Sequence, residues 1–468
     1  MKVKIIIFVL LLAFFKNFAQ STFDILIKKS GCNQIAFDPI ERKNDYLISY
    51  NKGGSTCGEK DNVLLTLSKQ GKIIDSISLR SIIDKNFINQ QVIAVGKEYY
   101  LFGYAPDSTN ALILSFAKLD SSLHFLAKYT YKIPNLKESD TDKISVKINE
   151  DKSKFYFIFG QTFVGNSFVG SIDIDFKNFY IKSVNNIIGD VFDITELQNK
   201  KGYIIATIGS RFKSDLNFTK FEELFPSTKL FQSHQIVRLG NNYIMIGDEP
   251  LSRKLGVVLI DKNLSMAKLL KIGKTNDTVS KNTIRGVFVS NPNRFFVLGI
   301  TYKDFGSSPD SWVNVSMIDS NLNLLGTRYY KGNGLSIPIS IIETIDKHLV
   351  FTGTFQPEMG DGKYTAFVAK IKSETLITSS DKDLKFYEPL IKIFPNPVQD
   401  ELIVEFQEYD NQHDIKLQIY NSLGKLVHSE GGNLPYQRIN VHDFSNGIYF
   451  YNLYVANQII KTGKFIKN

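Results

Sequence analysis

The chain has 468 residues, a formal net charge of +9 and 43% hydrophobic residues, enough apolar material for a large core. Its 36 Phe and 22 Tyr favour strands over helices, and sparse alanine speaks against a helical protein. The positive charge is mostly lysine, scattered without a basic cluster; a nucleic-acid partner, which needs a concentrated patch, is therefore not expected.

The first twenty residues, MKVKIIIFVLLLAFFKNFAQ, fit a secretory signal. Lys2 and Lys4 form its charged start. Ile5 to Phe15 form an apolar run too short to span a bilayer, and Ala19 suits the position before a cleavage site. Residues 1–19 are therefore expected to be a signal peptide. No cysteine follows the site, which argues against a lipoprotein signal. No later apolar run approaches the roughly eighteen residues of a membrane span, so an integral membrane protein is not expected. Cys32 and Cys57 are the two cysteines. An oxidising compartment permits a disulfide between them. It would close a loop of roughly 25 residues and add about 3 kcal/mol; two free or buried thiols are the alternative. Their spacing matches no zinc pattern. No metal or other cofactor is expected.

An apolar strand ending in glycine then recurs: YYLFG to Gly103, YFIFG to Gly160, IATIG to Gly209, YIMIG to Gly247, FFVLG to Gly299 and LVFTG to Gly353. An earlier copy, DYLISY, carries Tyr50 at the glycine position, which makes seven. A short strand precedes each copy across a polar turn, as in VIAVGKEYYLFG, with the Gly, Asn, Asp and Lys of hairpin chemistry. A third and a fourth strand follow, joined by turns such as KLDSSLHF, LIDKNLSM and MIDSNLNL. Asp120 and Asp261 in these turns read as caps of the backbone two residues on rather than as metal ligands. Four antiparallel strands recurring about every fifty residues are the signature of a β-propeller. Stacked sandwiches need about twice that period, and a β-helix coil is shorter. The expectation is a seven-bladed propeller over residues 20–380, with Thr22 to Lys29 pairing into the last blade to close the ring and remove an edge. The repeat resembles the propeller-like repeats of secreted bacterial proteins, a likeness of architecture alone.

No G-x-S-x-G, H-E-x-x-H or phosphate loop occurs. The six histidines are scattered. Alternating strand direction puts the tight turns on one face of the ring. The longer, variable loops fall on the other, where binding residues concentrate. Tyr302, Lys303, Asp304 and Asp361 are the loop candidates for ligand binding. Trp312, the single tryptophan, reads either as a sugar or peptide platform or as core at the start of its strand. No catalytic residue is assigned. The favoured function is a secreted or cell-surface propeller that binds a protein, peptide or glycan. The alternative is a secreted glycan-acting hydrolase, which a cluster of carboxylates in the central funnel would support.

Residues 381–390 read as a polar linker, and residues 391–468 as a small antiparallel β-sandwich. Pro395 and Pro397 end a short strand. Leu402, Val404 and Phe406 share one face; Ile415, Leu417 and Ile419 share another. The blocks FPNPVQDEL, IYNSLGKLV, SNGIYFY and the terminal KTGKFIKN resemble the C-terminal sorting domain, type A, of type IX secretion substrates. Asn421 stands where that family has aspartate, and Lys425 where it has arginine. The resemblance implies a fold-export-release route in a Gram-negative bacterium: inner-membrane export by the signal peptide, outer-membrane transport by the type IX machinery, and removal of the tag by a surface peptidase. It carries a sorting role to Pro395, Asn396, Pro397, Gly424, Gly447, Tyr449 and Lys464.

Overall fold

In the computed structural model, residues 22–27, 32–53, 61–109, 111–137, 143–160, 167–184, 191–207, 210–224, 232–249, 254–273, 278–281, 285–302, 311–331, 334–356, 364–376, 391–406, 415–432, 436–455 and 458–468 are described. The expected signal peptide and the linker at 381–390 lie outside them. The chain divides into two compact units, 1–382 and 383–468.

The first unit is a seven-bladed β-propeller. Its sheets occupy 33–78, 88–137, 143–183, 191–223, 232–272, 278–331 and 335–372, numbered here as blades 1 to 7. Strands follow one another antiparallel from the inner first strand to the outer fourth; in blade 6 the inner position is shared by two strands, Thr278–Lys281 and Val287–Asn291, both paired with Arg294–Tyr302. Blade 7 lacks a fourth strand of its own. Phe23–Ile27 supplies it, pairing with Thr365–Lys372 from Phe23 opposite Lys370 to Ile27 opposite Ala366. The ring therefore closes through the segment that the sequence indicated.

The apolar residues of each strand pack between blades. Seven buried clusters fill the seven blade interfaces in turn. That between blades 2 and 3 is the most aromatic, with Tyr100, Phe102, Phe116, Phe155, Phe157 and Phe159 all buried. The closing interface holds Ile27 with Ala36, Tyr46, Ile48 and Leu65 of blade 1 and Val350, Ala366 and Val368 of blade 7. Burying both faces of each blade explains why its middle strands read as continuous apolar runs rather than as an alternation.

The turns between third and fourth strands act as wedges. Asp120 Oδ1 accepts the N–H groups of Ser122 and His124 at 2.8 and 2.9 Å. Asp261 does the same with Asn263 and Ser265, both at 2.9 Å, and Asp319 with Asn321 and Asn323 at 2.9 and 2.7 Å. Each aspartate is thus a backbone cap. The His124 amide leads in holding the Asp120 carboxyl below its ordinary value. That contribution is complete above the ordinary carboxyl value and is lost as pH falls through the lowered one. Three residues after each aspartate a leucine has positive φ: Leu123 (68°), Leu264 (67°) and Leu322 (57°); Phe176 and Phe218 take the same conformation. A left-handed residue costs about 1–2 kcal/mol, and burying a large apolar side chain contributes about 1.5–3 kcal/mol in the other direction. Leu123, Phe176, Phe218 and Leu322 are all buried against the preceding blade. Blade 1 breaks the pattern with Gly71 (φ 84°), because a Cβ there would lie 2.6 Å from Cγ of Phe23. The closing strand brings its own aromatic wedge, and the turn gives way to it.

The recurring glycine has a steric cause. Gly103, Gly247 and Gly353 sit opposite Asn89, Ser233 and Pro338 of their inner strands, and in each blade the register shifts right after that pair. A bulge pushes the inner strand toward its neighbour. A Cβ on Gly353 would meet the Phe367 ring at 2.6 Å, and one on Gly103 would strike the Ile88 carbonyl. Gly103→Ala is expected to cost about 2 kcal/mol, as overpacking does, read as a lower urea midpoint at unchanged slope. An unchanged midpoint would show that the bulge yields freely.

The second unit is the small sandwich. A three-stranded sheet pairs Ile391–Phe394 and Tyr436–Asn440 on either side of Glu401–Phe406. A four-stranded sheet has the order Leu426–Gly432, Ile415–Tyr420, Gly447–Val455, Gln458–Lys467. Val398, Leu402, Val404, Leu417, Ile419, Ile439, Val441, Tyr449, Tyr451, Leu453 and Phe465 form its own core. The side chains of Phe406 and Ile415 lie outside the described residues. Among the described residues no helix is long and apolar enough to cross a membrane.

Candidate functional site

The inner-strand bulges aim polar side chains at the middle of the ring. Asp38 lies in the bulge of blade 1, between Ala36 and Pro39. Its Oδ2 accepts the Val92 N–H of blade 2 at 2.9 Å, and its Oδ1 pairs with Arg285 of blade 6. Arg285 also donates to the carbonyl of Gln90, the bulged residue of blade 2, and its N–H donates to Ile339 O of blade 7 at 3.2 Å. Gln91 makes a two-way bond with Val146 of blade 3: its Oε1 accepts the N–H at 2.8 Å and its Nε2 donates to the carbonyl at 2.9 Å. Asp193 of blade 4 accepts from Ser145 Oγ (2.7 Å) and Lys147 Nζ (2.8 Å) of blade 3 and from the Ile236 N–H (2.9 Å) of blade 5. Lys147 Nζ donates as well to Ile236 O at 2.8 Å.

Arg285 and Lys147 therefore connect blades that are not neighbours, across the middle of the propeller. Asp38 and Asp193 are 7% and 2% exposed, and a cation plus backbone N–H donors engage each. A general acid or base must reach a substrate proton; these carboxylates are committed to holding the ring. The sequence reading missed all four residues. A signal existed: FDPI and DVFDIT each place an aspartate inside an apolar inner strand.

The long-loop face lies at the other end of these strands. Lys303, Asp304 and Asp361 fall outside the described residues. Tyr302 ends the second strand of blade 6, Arg294–Tyr302, and Trp312 follows the first residue of the third, Ser311–Asp319. Tyr302 is opposite Ser311, and Trp312 opposite Thr301, so the two rings leave opposite faces of the blade. Tyr302 is half-buried; burial raises its phenol, and the Asp248 carboxylate of blade 5 adds to the rise. Trp312 is half-buried beside Thr301, whose Oγ1 accepts from Asn314 Nδ2 at 2.8 Å. At the roots of the loops, polar clasps tie blade 1 to blade 2 and blade 6 to blade 7. Asn62 Oδ1 accepts the Asn89 N–H at 2.9 Å and its Nδ2 donates to Phe87 O at 2.6 Å. Ser311 Oγ accepts the Ser336 N–H at 2.8 Å and donates to its carbonyl at 3.1 Å. The clasps give the variable loops fixed roots.

In the sandwich, the first and last sequence blocks meet. Pro395, Asn396 and Pro397 are exposed, and Asn396 Oδ1 accepts the Ile466 N–H at 2.9 Å. Val398 N–H donates to Ile466 O at 2.8 Å, and Asn468 N–H to Val398 O at 3.0 Å. Gly424 (φ 78°) closes the turn that Asn421 caps, its Oδ1 accepting from Leu423 and Lys425 at 3.1 and 3.0 Å. Gly447 begins the long central strand. Tyr449 is buried, stacks on Phe465 at 5.5 Å and donates to Ser445 O at 2.8 Å. Lys464 is exposed on the last strand.

Comparison with solved structures finds propellers at low identity. The chain is similar to the β-propeller domain of the Trilobed protease from Pyrococcus furiosus (11% identity, TM-score 0.44, 77% of this chain and 99% of that one). It is also similar to prolyl oligopeptidase B from Galerina marginata (12%, TM-score 0.40, 78% and 46%) and to an oligogalacturonate lyase in complex with manganese (10%, TM-score 0.41, 74% and 99%). No curated protein matches. Residues 392–468 match the secretion system C-terminal sorting domain, so the chain joins a seven-bladed propeller to a sorting domain whose presence implies handling by the type IX secretion machinery.

Proposed function

We propose that this is a secreted or cell-surface binding propeller, delivered by residues 1–19 and the sorting domain, whose long-loop face takes a protein, peptide or glycan. The observation that carries the binding reading is the use of the two central carboxylates. Asp38 and Asp193 are each neutralised and hydrogen-bonded to neighbouring blades, so the funnel offers rigidity rather than an acid–base pair. Ligand contact then falls to the loops, with Tyr302, Lys303, Asp304, Trp312 and Asp361 as contacts. A surface peptidase removes the sorting domain after export. Cys32, 6% exposed at the start of blade 1, pairs with Cys57, which lies outside the described residues.

A glycan array and a peptide screen with the secreted protein test the reading, with hydrolysis of the same glycans followed in parallel. Tyr302→Ala and Trp312→Ala are expected to weaken a hit by about tenfold each, as for interface aromatics. Asp261→Ala on the opposite face should leave binding intact and cost about 1 kcal/mol of stability, as a lost cap does. Glycan turnover, or binding lost only from the turn face, would refute the proposal. For the cysteines, non-reducing mass spectrometry of secreted material should show one Cys32–Cys57 cross-link; two alkylatable thiols would end that assignment.

A further inference from the structure

The geometry points to a single docking surface on the sorting domain, assembled where its two ends are clasped together, for a protein of the export machinery that presents an apolar patch rimmed with carboxylates. This inference rests on the export reading above. It goes beyond it by naming the face and the chemistry that reads it.

The inner face of the four-stranded sheet packs into the sandwich core. The outer face is not covered by the sandwich. Ile448 and Ile466 are register partners on adjacent strands, and Phe450 is flanked by Lys464 on one side and Tyr420 on the other, with Leu426 next across the sheet. Ile448, Phe450, Ile466 and Leu426 are 45%, 47%, 43% and 44% exposed. Ile448, Ile466 and Phe450 adjoin one another, and Leu426 lies beyond Tyr420 on the same sheet face; this is more than isolated surface residues, and such a patch marks an interaction site. The backbone of Ile466 is held by Asn396 and Val398. The exposed Pro395-Asn396-Pro397 turn therefore forms the border of the same patch. Sequence blocks about seventy residues apart become one surface, which gives a physical reason for both blocks to carry the sorting signal.

Charge selects the partner. On the outer-face positions of the four strands, the charged residues among those described are Lys416 and Lys464, both cations. An apolar centre with a cationic rim fits a protein surface of the opposite pattern, where the rim steers encounter and the centre holds the complex.

The test uses the full chain in a host with type IX machinery, and compares extracellular with periplasmic protein. The double variant Phe450→Ser, Ile466→Ser should lower the extracellular fraction about tenfold, and Lys464→Glu should lower it several-fold. Asn396→Ala should act similarly, with Asn396→Asp, which keeps an acceptor for the Ile466 N–H, restoring export. Arg438→Ser, on the three-stranded sheet, should change nothing. Normal export of a folded double variant, while a chain cut before Lys385 stays inside, would overturn the surface and leave the export reading standing. Export of the cut chain would overturn the export reading itself. If the double variant proves misfolded by protease sensitivity, Lys464→Glu and Asn396→Ala decide: normal export of both overturns the proposal. A full-length dimer that Phe450→Ser converts to monomer with export unchanged would assign the patch to self-association, and also overturns it.

Discussion

A chain truncated before Lys385 is expected to fold, to reach the periplasm and to stop there. Each of the eight buried clusters draws its residues from one of the two units, seven from the propeller and one from the sandwich. The ring is closed by Phe23–Ile27, from the opposite end of the chain, so removing 385–468 opens no blade edge. A unit with its own core and its own closure survives loss of its neighbour. The cut chain should keep its urea midpoint, and its extracellular amount should fall to background while a periplasmic pool builds up. The reciprocal fusion of Leu384 to Asn468 behind a signal peptide and a fluorescent reporter should send the reporter outside. Normal secretion of the cut chain would remove the basis for assigning the route to the sorting domain.

Architecture was legible because its determinants are local and repeated. A glycine after six of the seven apolar runs, a polar turn before each run and an aspartate in several of the later turns are all features of one strand and its neighbours. Seven copies at a spacing of about fifty residues gave seven blades. The closing strand was legible as a leftover, since Phe23–Ile27 precedes the first copy. The ring centre was not. Arg285 and Asp38 are 247 positions apart, and their pairing depends on inner-strand bulges. No windowed pattern carries that information. The wedge residues were missed for another reason: a leucine at positive φ contradicts local preference and persists only because the preceding blade buries it. The clasp between Asn396 and Ile466 was hidden in the same way, although both blocks that hold it were readable.

Arg285→Met is expected to be the most destabilising change of a charged residue in the propeller, at about 3 kcal/mol, the usual result of removing one partner from a buried ion pair. The side chains of Asp38 and Arg285 are 10% and 12% exposed. Without Arg285, Asp38 keeps the Val92 N–H but is left as an uncompensated anion in a poorly hydrated place. The Gln90 carbonyl loses its donor at the same time. Asp38→Asn should cost less, because an amide oxygen still accepts from Val92 and no unpaired anion remains. The double variant should therefore be more stable than Arg285→Met alone, with a coupling of at least about 1 kcal/mol, measured by urea unfolding of the secreted protein. Binding at the loop face should survive in whatever fraction remains folded. The competing role for Arg285, a cation that holds an anionic ligand in the funnel, makes the opposite forecast: ligand lost, stability kept and no coupling to Asp38. A cycle of four proteins and one ligand titration separates the two, because only a ring-holding arginine makes the single variant worse than the double.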